Sequence, residues 1–471
     1  MASIPDRGLF CWEDVENLGD LERLKLVLDV LPDEPLMQKM ERERGKGRDD
    51  YPIRAMWNSV LAGIVFQHGS VQSLRRELLR NDRLRWICGF DPVMEAEDAV
   101  PGPSSYSRFF DNLFRHQADV DRMFHGLVEA LREELPDFGR HLATDSKAIQ
   151  SHGRPKGKKT HRKLARQELE EGPDRRRDLD ADFGVKTYRG QREDGTRWRS
   201  VVKWFGYKLH LIVDADYELP VGYEVTRASR PDNRSGARMV EELDTEHPEL
   251  LRRSEAMMGD KAYDDGKLLG QLWEGPDPDN PRRILPIIPK REDWKDGEKT
   301  RPLLEGADNI TYDCQGQLYC HCPKSGKRRK MVYWGYEKGR DAQKWRCPAA
   351  RYGLSCEGYE RCSGETDYGR VVRVSREVDR RTFLPVARTS AKFQRLYKKR
   401  TSVERVNGRL DVSFGFENHY IRGKKKMRAR CSLALIVMLA MALGRVRENK
   451  TQESGTEETA SPTLRSLVGA P

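Results

Sequence analysis

The chain has 471 residues, 34% of them charged, and a formal net charge of +11. Such a length allows a sizeable core in about two to four domains. The basic balance favours polyanionic partners, although a well-solvated surface explains it as cheaply. Residues 1–12 lack the apolar core of a signal peptide. The longest apolar run, Cys431 to Gly444, is 14 residues, which suits a buried helix better than a membrane span. Of nine cysteines, six crowd into 314–362 at uneven spacing, unlike a secreted disulfide framework. A cytoplasmic setting with no membrane partner is expected.

Residues 1–50 form a polar N-terminal segment with a helix predicted over Leu21–Leu31 and stopped by Pro32. Across 51–139 helical periodicity is continuous: Ile53, Met56, Val60, Leu61, Ile64 and Val65 make one stripe, and Leu74, Leu78 and Leu79 begin another. This predicts an all-helical domain. A helix near Ser104–Leu113 suits DNA reading, with plain helical packing the equal alternative.

The pattern changes at Gly139. A catalytic core is expected from 140 to 290: strands at His141–Ile149, Ser200–Val213 and Leu219–Arg227, a helix at Ser235–Leu243, and a strand leading to Asp260. Arg283–Pro289 is a further strand whose Pro286 favours an edge. The basic run 154–177 has no apolar period and reads as a mobile loop. Residues 291–390 are a polar, Cys-rich insertion. Residues 391–447 return to the core with a Glu404-bearing helix and a C-terminal helix, and 448–471 read as a disordered tail. The order of elements predicts a mixed α/β sheet.

Three acids carry the chemistry. Asp145 ends a strand in His-Leu-Ala-Thr-Asp-Ser-Lys, Asp260 follows Met-Met-Gly, and Glu404 lies on a helix with Tyr397 and Arg400. Taken singly, each acid is better explained as a turn cap or an exposed charge. Together, two strand ends and a helix can hold two divalent cations for phosphoryl transfer on nucleic acid, one activating water or a 3′-hydroxyl and one stabilising the leaving oxygen. Oxygen ligands favour Mg²⁺, with Mn²⁺ as a substitute. Tyr397, Arg400 and Glu404 at i, i+3 and i+7 share a helical face, so Tyr397 and Arg400 can grip phosphate; an exposed Arg400–Glu404 ion pair explains those two equally well but leaves Tyr397 without a role. Lys398, Lys399, Arg405 and Arg409 add positive charge for DNA, as do the basic stretches 154–177 and 422–430.

With these residues in view, the sequence resembles the DDE transposases of bacterial insertion sequences. The matching segments are 143–149, 204–210, 220–232, 258–263 and 400–408, and 51–115 is similar to the N-terminal domain of those proteins. The resemblance implies an RNase H-like core and a catalytic, metal-binding triad of Asp145, Asp260 and Glu404. It further implies two Mg²⁺ (or Mn²⁺) per site and a homo-oligomer acting on terminal inverted repeats and target DNA. The activity implied is cleavage at the element's ends and 3′-hydroxyl strand transfer, in a nucleoid-associated protein. Tyr397, Arg400 and Glu404 match a Tyr-x2-Arg-x3-Glu-x6-Lys signature, whose final Lys is replaced here by Asp411. A nuclease of the same fold that cuts without joining, or a DNA-binding protein with impaired catalysis, are the alternatives.

Cys320, Cys322, Cys347, Cys356 and Cys362 are candidates for a structural Zn²⁺ that would stiffen the insertion. They lack paired Cys-x2-Cys knuckles, so free thiols are the competing explanation.

Overall fold

A computed structural model describes residues 9–45, 51–91, 93–155, 177–277, 279–304, 309–363 and 367–459. Helix α1 (Asp20–Val30) ends at Leu31, whose extended backbone is what the following Pro32 demands. Helix α2 (Ile53–Val65) buries nine of its 13 residues. Pro103 opens α3 (Pro103–Leu113) because its fixed φ suits a first helical turn. Tyr106, Phe109 and Leu113 of α3 face the core, so only its Ser104, Ser107 and Arg108 side is exposed. Helix α4 (Gln117–Glu134) follows, and the N-terminal region is helical as its periodicity predicts.

A mixed sheet then begins. Strands β1 (His141–Gln150), β2 (Asp182–Gln191), β3 (Arg197–Asp214) and β4 (Leu219–Arg227) are joined by β5 (Ala256–Met258) and β6 (Leu285–Ile287). The C-terminal half of β3 pairs antiparallel with β1 and with β4, while β5 lies parallel to β1 and β6 parallel to β5. The spatial order is therefore β4-β3-β1-β5-β6, with Pro286 on an outer strand as expected. The N-terminal half of β3 runs on to pair with β2, a strand the sequence reading did not anticipate. Helix α5 (Asp232–Glu246) covers one face. The expected basic loop falls mainly on 156–176, outside the described residues.

The stretch from 291 to 390 folds into two small sheets. One holds β7 (Arg301–Pro302), β8 (Ile310–Tyr312), β9 (Leu318–His321) and β10 (Arg328–Lys330). The other holds β11 (Val332–Glu337), β12 (Ala342–Arg346) and β13 (Val371–Ser375). Ile310, Leu318, Met331, Trp345, Val374, Phe383 and Ala387 form a core of their own. The chain then returns through α6 (Ala391–Lys398) and α7 (Thr401–Val412) to α8 (Lys424–Thr459).

Helix α8 is long and apolar enough to cross a membrane by length and composition, yet 89% of its apolar window is buried inside the protein. It packs on α1, α2, α4 and β4. One continuous core consequently runs from Phe10 through the sheet to Val446, and the expected boundary at 139/140 does not divide it. Helix α8 itself runs past 448 to Thr459. Residues 460–471 lie outside the described residues.

Candidate active site

Asp145 sits in the middle of β1, between its buried neighbours Thr144 and Ser146. The strand's alternation puts Lys147 on the same face as Asp145. Asp260 follows β5 directly and caps a short 3₁₀ turn, accepting from the Ala262 N–H at 2.7 Å. Parallel pairing of β5 with β1 carries Asp260 to Asp145's side. A Cβ at Gly259 would stand 3.2 Å from Thr144 and 3.3 Å from Tyr263, so glycine suits this close approach to β1.

Glu404 occupies the first turn of α7. The single helix expected for Tyr397, Arg400 and Glu404 is instead two, because Lys399 and Arg400 form a tight i→i−3 turn between α6 and α7. Both residues keep right-handed dihedrals, so the three side chains still cluster. The Arg400 guanidinium lies 5.8 Å from the Tyr397 ring centre. Its Nη2 donates to Glu404 Oε1 at 2.6 Å, and its Nη1 is 3.5 Å from Asp145 Oδ2. Arg400 thus bridges two of the three acids, and its buried Nε has no acceptor among the described residues.

Burial raises the Asp145 carboxyl to about 6; the neighbouring Asp260 adds to this, while the Ser146 N–H, Lys186 and Arg400 oppose it. A carboxylate held up by desolvation and a second acid is relieved by a cation. Among the described residues, no three His, Cys, Asp or Glu side chains already stand together as a metal-holding group. Here Arg400 supplies the positive charge between Asp145 and Glu404.

The other cations expected to meet DNA are mostly engaged. Lys399 pairs with Asp216, Arg405 with Glu218, and Arg409 with Glu218 at 2.5 Å and Glu16 at 3.1 Å while covering the Trp12 ring. Lys398 is exposed. In 422–430, Arg428 binds Asp121, Arg430 donates to the Gly415 and Phe416 carbonyls, and Lys424 to Lys426 are exposed.

Asp411 does not face empty phosphate space. Its Oδ2 accepts from Lys147 Nζ at 2.5 Å, and Lys147 also reaches Glu417 at 3.0 Å. Two crossed pairs therefore join β1 to the helical segment: Arg400 to Asp145, and Lys147 to Asp411. Sequence reasoning missed Lys147, although it stands two residues after Asp145. A basic residue on the same strand face is the signal that could have found it.

Away from this site, Cys320, Cys322, Cys347, Cys356 and Cys362 line one cavity of about 30 Å³, and Cys314 is not among its walls. Hydrogen bonds from Ser325, Lys324 and Gly358 lower the Cys322 thiol to about 6. Burial, followed by the nearby thiols of Cys347, Cys356 and Cys362, raises Cys320 to about 11. A Cβ at Gly358 would come within 3.0 Å of Cys322 Sγ, so its backbone closes over the sulfur.

Two family models match the chain: a transposase DDE domain over residues 136–440 and a transposase domain of the DUF772 type over 12–112. No curated protein sequence matches. A cryo-EM structure of a piggyBac transposase synaptic complex with hairpin DNA is similar at 11% identity, covering 95% of this chain and 84% of that one. Its TM-score of 0.39 is too low to carry an argument.

Proposed function

This chain belongs to the DDE transposases, and we propose that Asp145, Asp260 and Glu404 are the acids with which it cuts and joins DNA. The observation that carries this assignment is the meeting of β1, β5 and α7 around Asp145, with Arg400 bridging Asp145 and Glu404. The sheet order β4-β3-β1-β5-β6, with its first three strands antiparallel and the rest parallel, supports an RNase H-like core interrupted by the Cys-rich segment 291–390.

The family uses divalent metal ions. In this chain the oxygen-only donor set fits Mg²⁺, or Mn²⁺ in its place, and a bound pair would supply Lewis-acid stabilisation at the attacked phosphodiester. The protein's own contribution is to hold the three carboxylates and to keep the Arg400 guanidinium beside them, where it could turn to a phosphate. Its orphaned Nε gives that guanidinium a donor to spare. Tyr397, stacked on Phe393 at 6.0 Å, fixes the guanidinium from below. Lys398, Lys399, Arg405 and Arg409 remain candidates for DNA contact, the last three by exchanging an acid for phosphate. The reading extends to terminal inverted repeats and target DNA as substrates, an oligomer on DNA, and a nucleoid-associated, cytoplasmic setting.

For the cysteines we infer a structural Zn²⁺ held by four of Cys320, Cys322, Cys347, Cys356 and Cys362. The thiol-lined cavity and the N–H cradle around Cys322 fit a thiolate set that a dication would neutralise.

The test incubates purified protein with DNA carrying the sequences that flank the gene, plus Mg²⁺. Wild type should release 3′-hydroxyl ends and join them to a target, and Asp260→Ala should do neither. Cleavage without joining would favour the nuclease reading, and equal products from both proteins would remove Asp260 from the triad.

A further inference from the structure

Strand β2 and the first half of β3 leave the main sheet as a two-stranded ribbon. Its ten paired positions run from Asp182↔Gly206 to Gln191↔Arg197 and extend about 30 Å at strand rise. The tip is a tight loop in which Gly195 takes φ +85°, the Arg192 N–H donates to Thr196 and Asp194 caps the Thr196 N–H. Every residue of β3 from Arg197 to Lys203 is exposed. So are Phe183, Val185, Tyr188, Trp198, Val201 and Val202, on both faces.

A two-stranded ribbon solvated on both sides is marginal by itself, and so many exposed apolar groups on one element mark a contact surface. Charge indicates which partner. Residues 182–203 contain six Lys or Arg and three Asp or Glu. Of the acids, Asp182 is spent on Ser229 and Asp194 on the loop. Among the described residues, no acid is paired with Lys186, Arg197, Arg199 or Lys203, in contrast to the engaged cations around α7. A second copy of so basic a ribbon would be repelled, whereas a polyanion would be drawn. The ribbon's root meets the main sheet where Gly206 pairs with both Asp182 and Gln150, at the end of the strand that carries Asp145.

We propose that this ribbon is a DNA-contacting arm, lying in a groove of the duplex and guiding it to Asp145. A major groove about 12 Å wide admits two strands. Arg197, Arg199 and Lys203 then meet the phosphate backbones, and the exposed aromatic and β-branched side chains meet sugars and base edges. The inference rests on the transposase reading but not on the choice of triad.

The experiment measures binding of the full chain to a mixed-sequence 30-base-pair duplex by fluorescence anisotropy across a salt series. Arg197→Ala, Arg199→Ala and Lys203→Ala are combined in one variant, with unfolding curves matched to wild type. The arm predicts at least a tenfold weaker Kd at low salt and a log–log salt slope shallower by about 0.9 per lost contact, up to about 3. Unchanged affinity and slope in a variant folded like wild type overturn it. A second variant, Val185→Ser with Val201→Ser, is followed by light scattering. A change of oligomeric state with DNA binding intact would assign the ribbon to a second copy and also overturn the proposal. Wild type that binds no duplex would sink the transposase reading itself. Wild type that binds, with an equally tight triple variant, sinks only the arm.

Discussion

Asp145 combines a carboxyl raised to about 6 with a position where Asp260 and Arg400 both act on it. The sign of the resulting pH dependence follows from proton linkage. A raised acid favours the folded, metal-free protein at low pH, and that contribution fades as pH climbs from 3.8 through about 6. Metal binding runs the other way, because the cation needs the carboxylate. Mn²⁺ affinity measured by calorimetry should rise steeply between about pH 5 and 6 and level off above 7; a flat profile would remove Asp145 from the metal site. Asp411 was legible only as a misfit, since its partner Lys147 lies 264 residues away in sequence. In the fold it docks α7 on β1. Restoring the signature by Asp411→Lys should therefore harm the protein, setting two lysines against each other. The expected loss in chemical denaturation is about 1–3 kcal/mol, less than for a fully buried pair because Asp411 is partly exposed. Adding Lys147→Asp should recover most of it, and a stabilising Asp411→Lys would contradict the docking role.

At the scale of elements, strong periodicity was readable and tertiary adjustments were not. The strands at 141–150 and 219–227 and the buried α8 follow directly from their apolar patterns. The turn that splits α6 from α7 leaves no mark in the sequence, because Lys399 and Arg400 are sound helix formers and the i→i−3 bonds arise from packing. Strand β2 was missed because its apolar residues Phe183, Val185 and Tyr188 are exposed, so no buried apolar face marks it in the sequence. Helix α8 meets α1 where Gly444 lies against the Leu26 backbone, and a Cβ there would stand 2.8 Å from the Leu26 carbonyl oxygen. Gly444→Ala should cost about 1–3 kcal/mol despite its better helix propensity, as overpacking outweighs propensity. A stabilised variant in thermal unfolding would show that the two helices simply move apart.

For the whole molecule, two cores predict two responses. The large core joins the N-terminal helices to the sheet through α8, while the Cys-rich segment has a small core of seven buried residues among those described. Cores that small usually lean on a cross-link. Purified protein should therefore contain about one zinc per chain by atomic absorption. Chelation, or Cys322→Ser, should lower a separate calorimetric transition and leave the main one in place. A metal-free preparation with the same transitions would identify the cluster as free thiols. The sequence showed the thiols but not their convergence, which depends on β9, Cys347 and the turn at Gly358 being folded together. The central claim concerns the acids, and it is tested most directly by changing the metal preference of one of them. Asp260→Cys replaces an oxygen donor with a sulfur that Mg²⁺ binds poorly and Mn²⁺ tolerates better. The account predicts DNA cleavage lost in Mg²⁺ and partly restored in Mn²⁺, whereas full activity in Mg²⁺, or none in either metal from a variant folded like wild type, would contradict it.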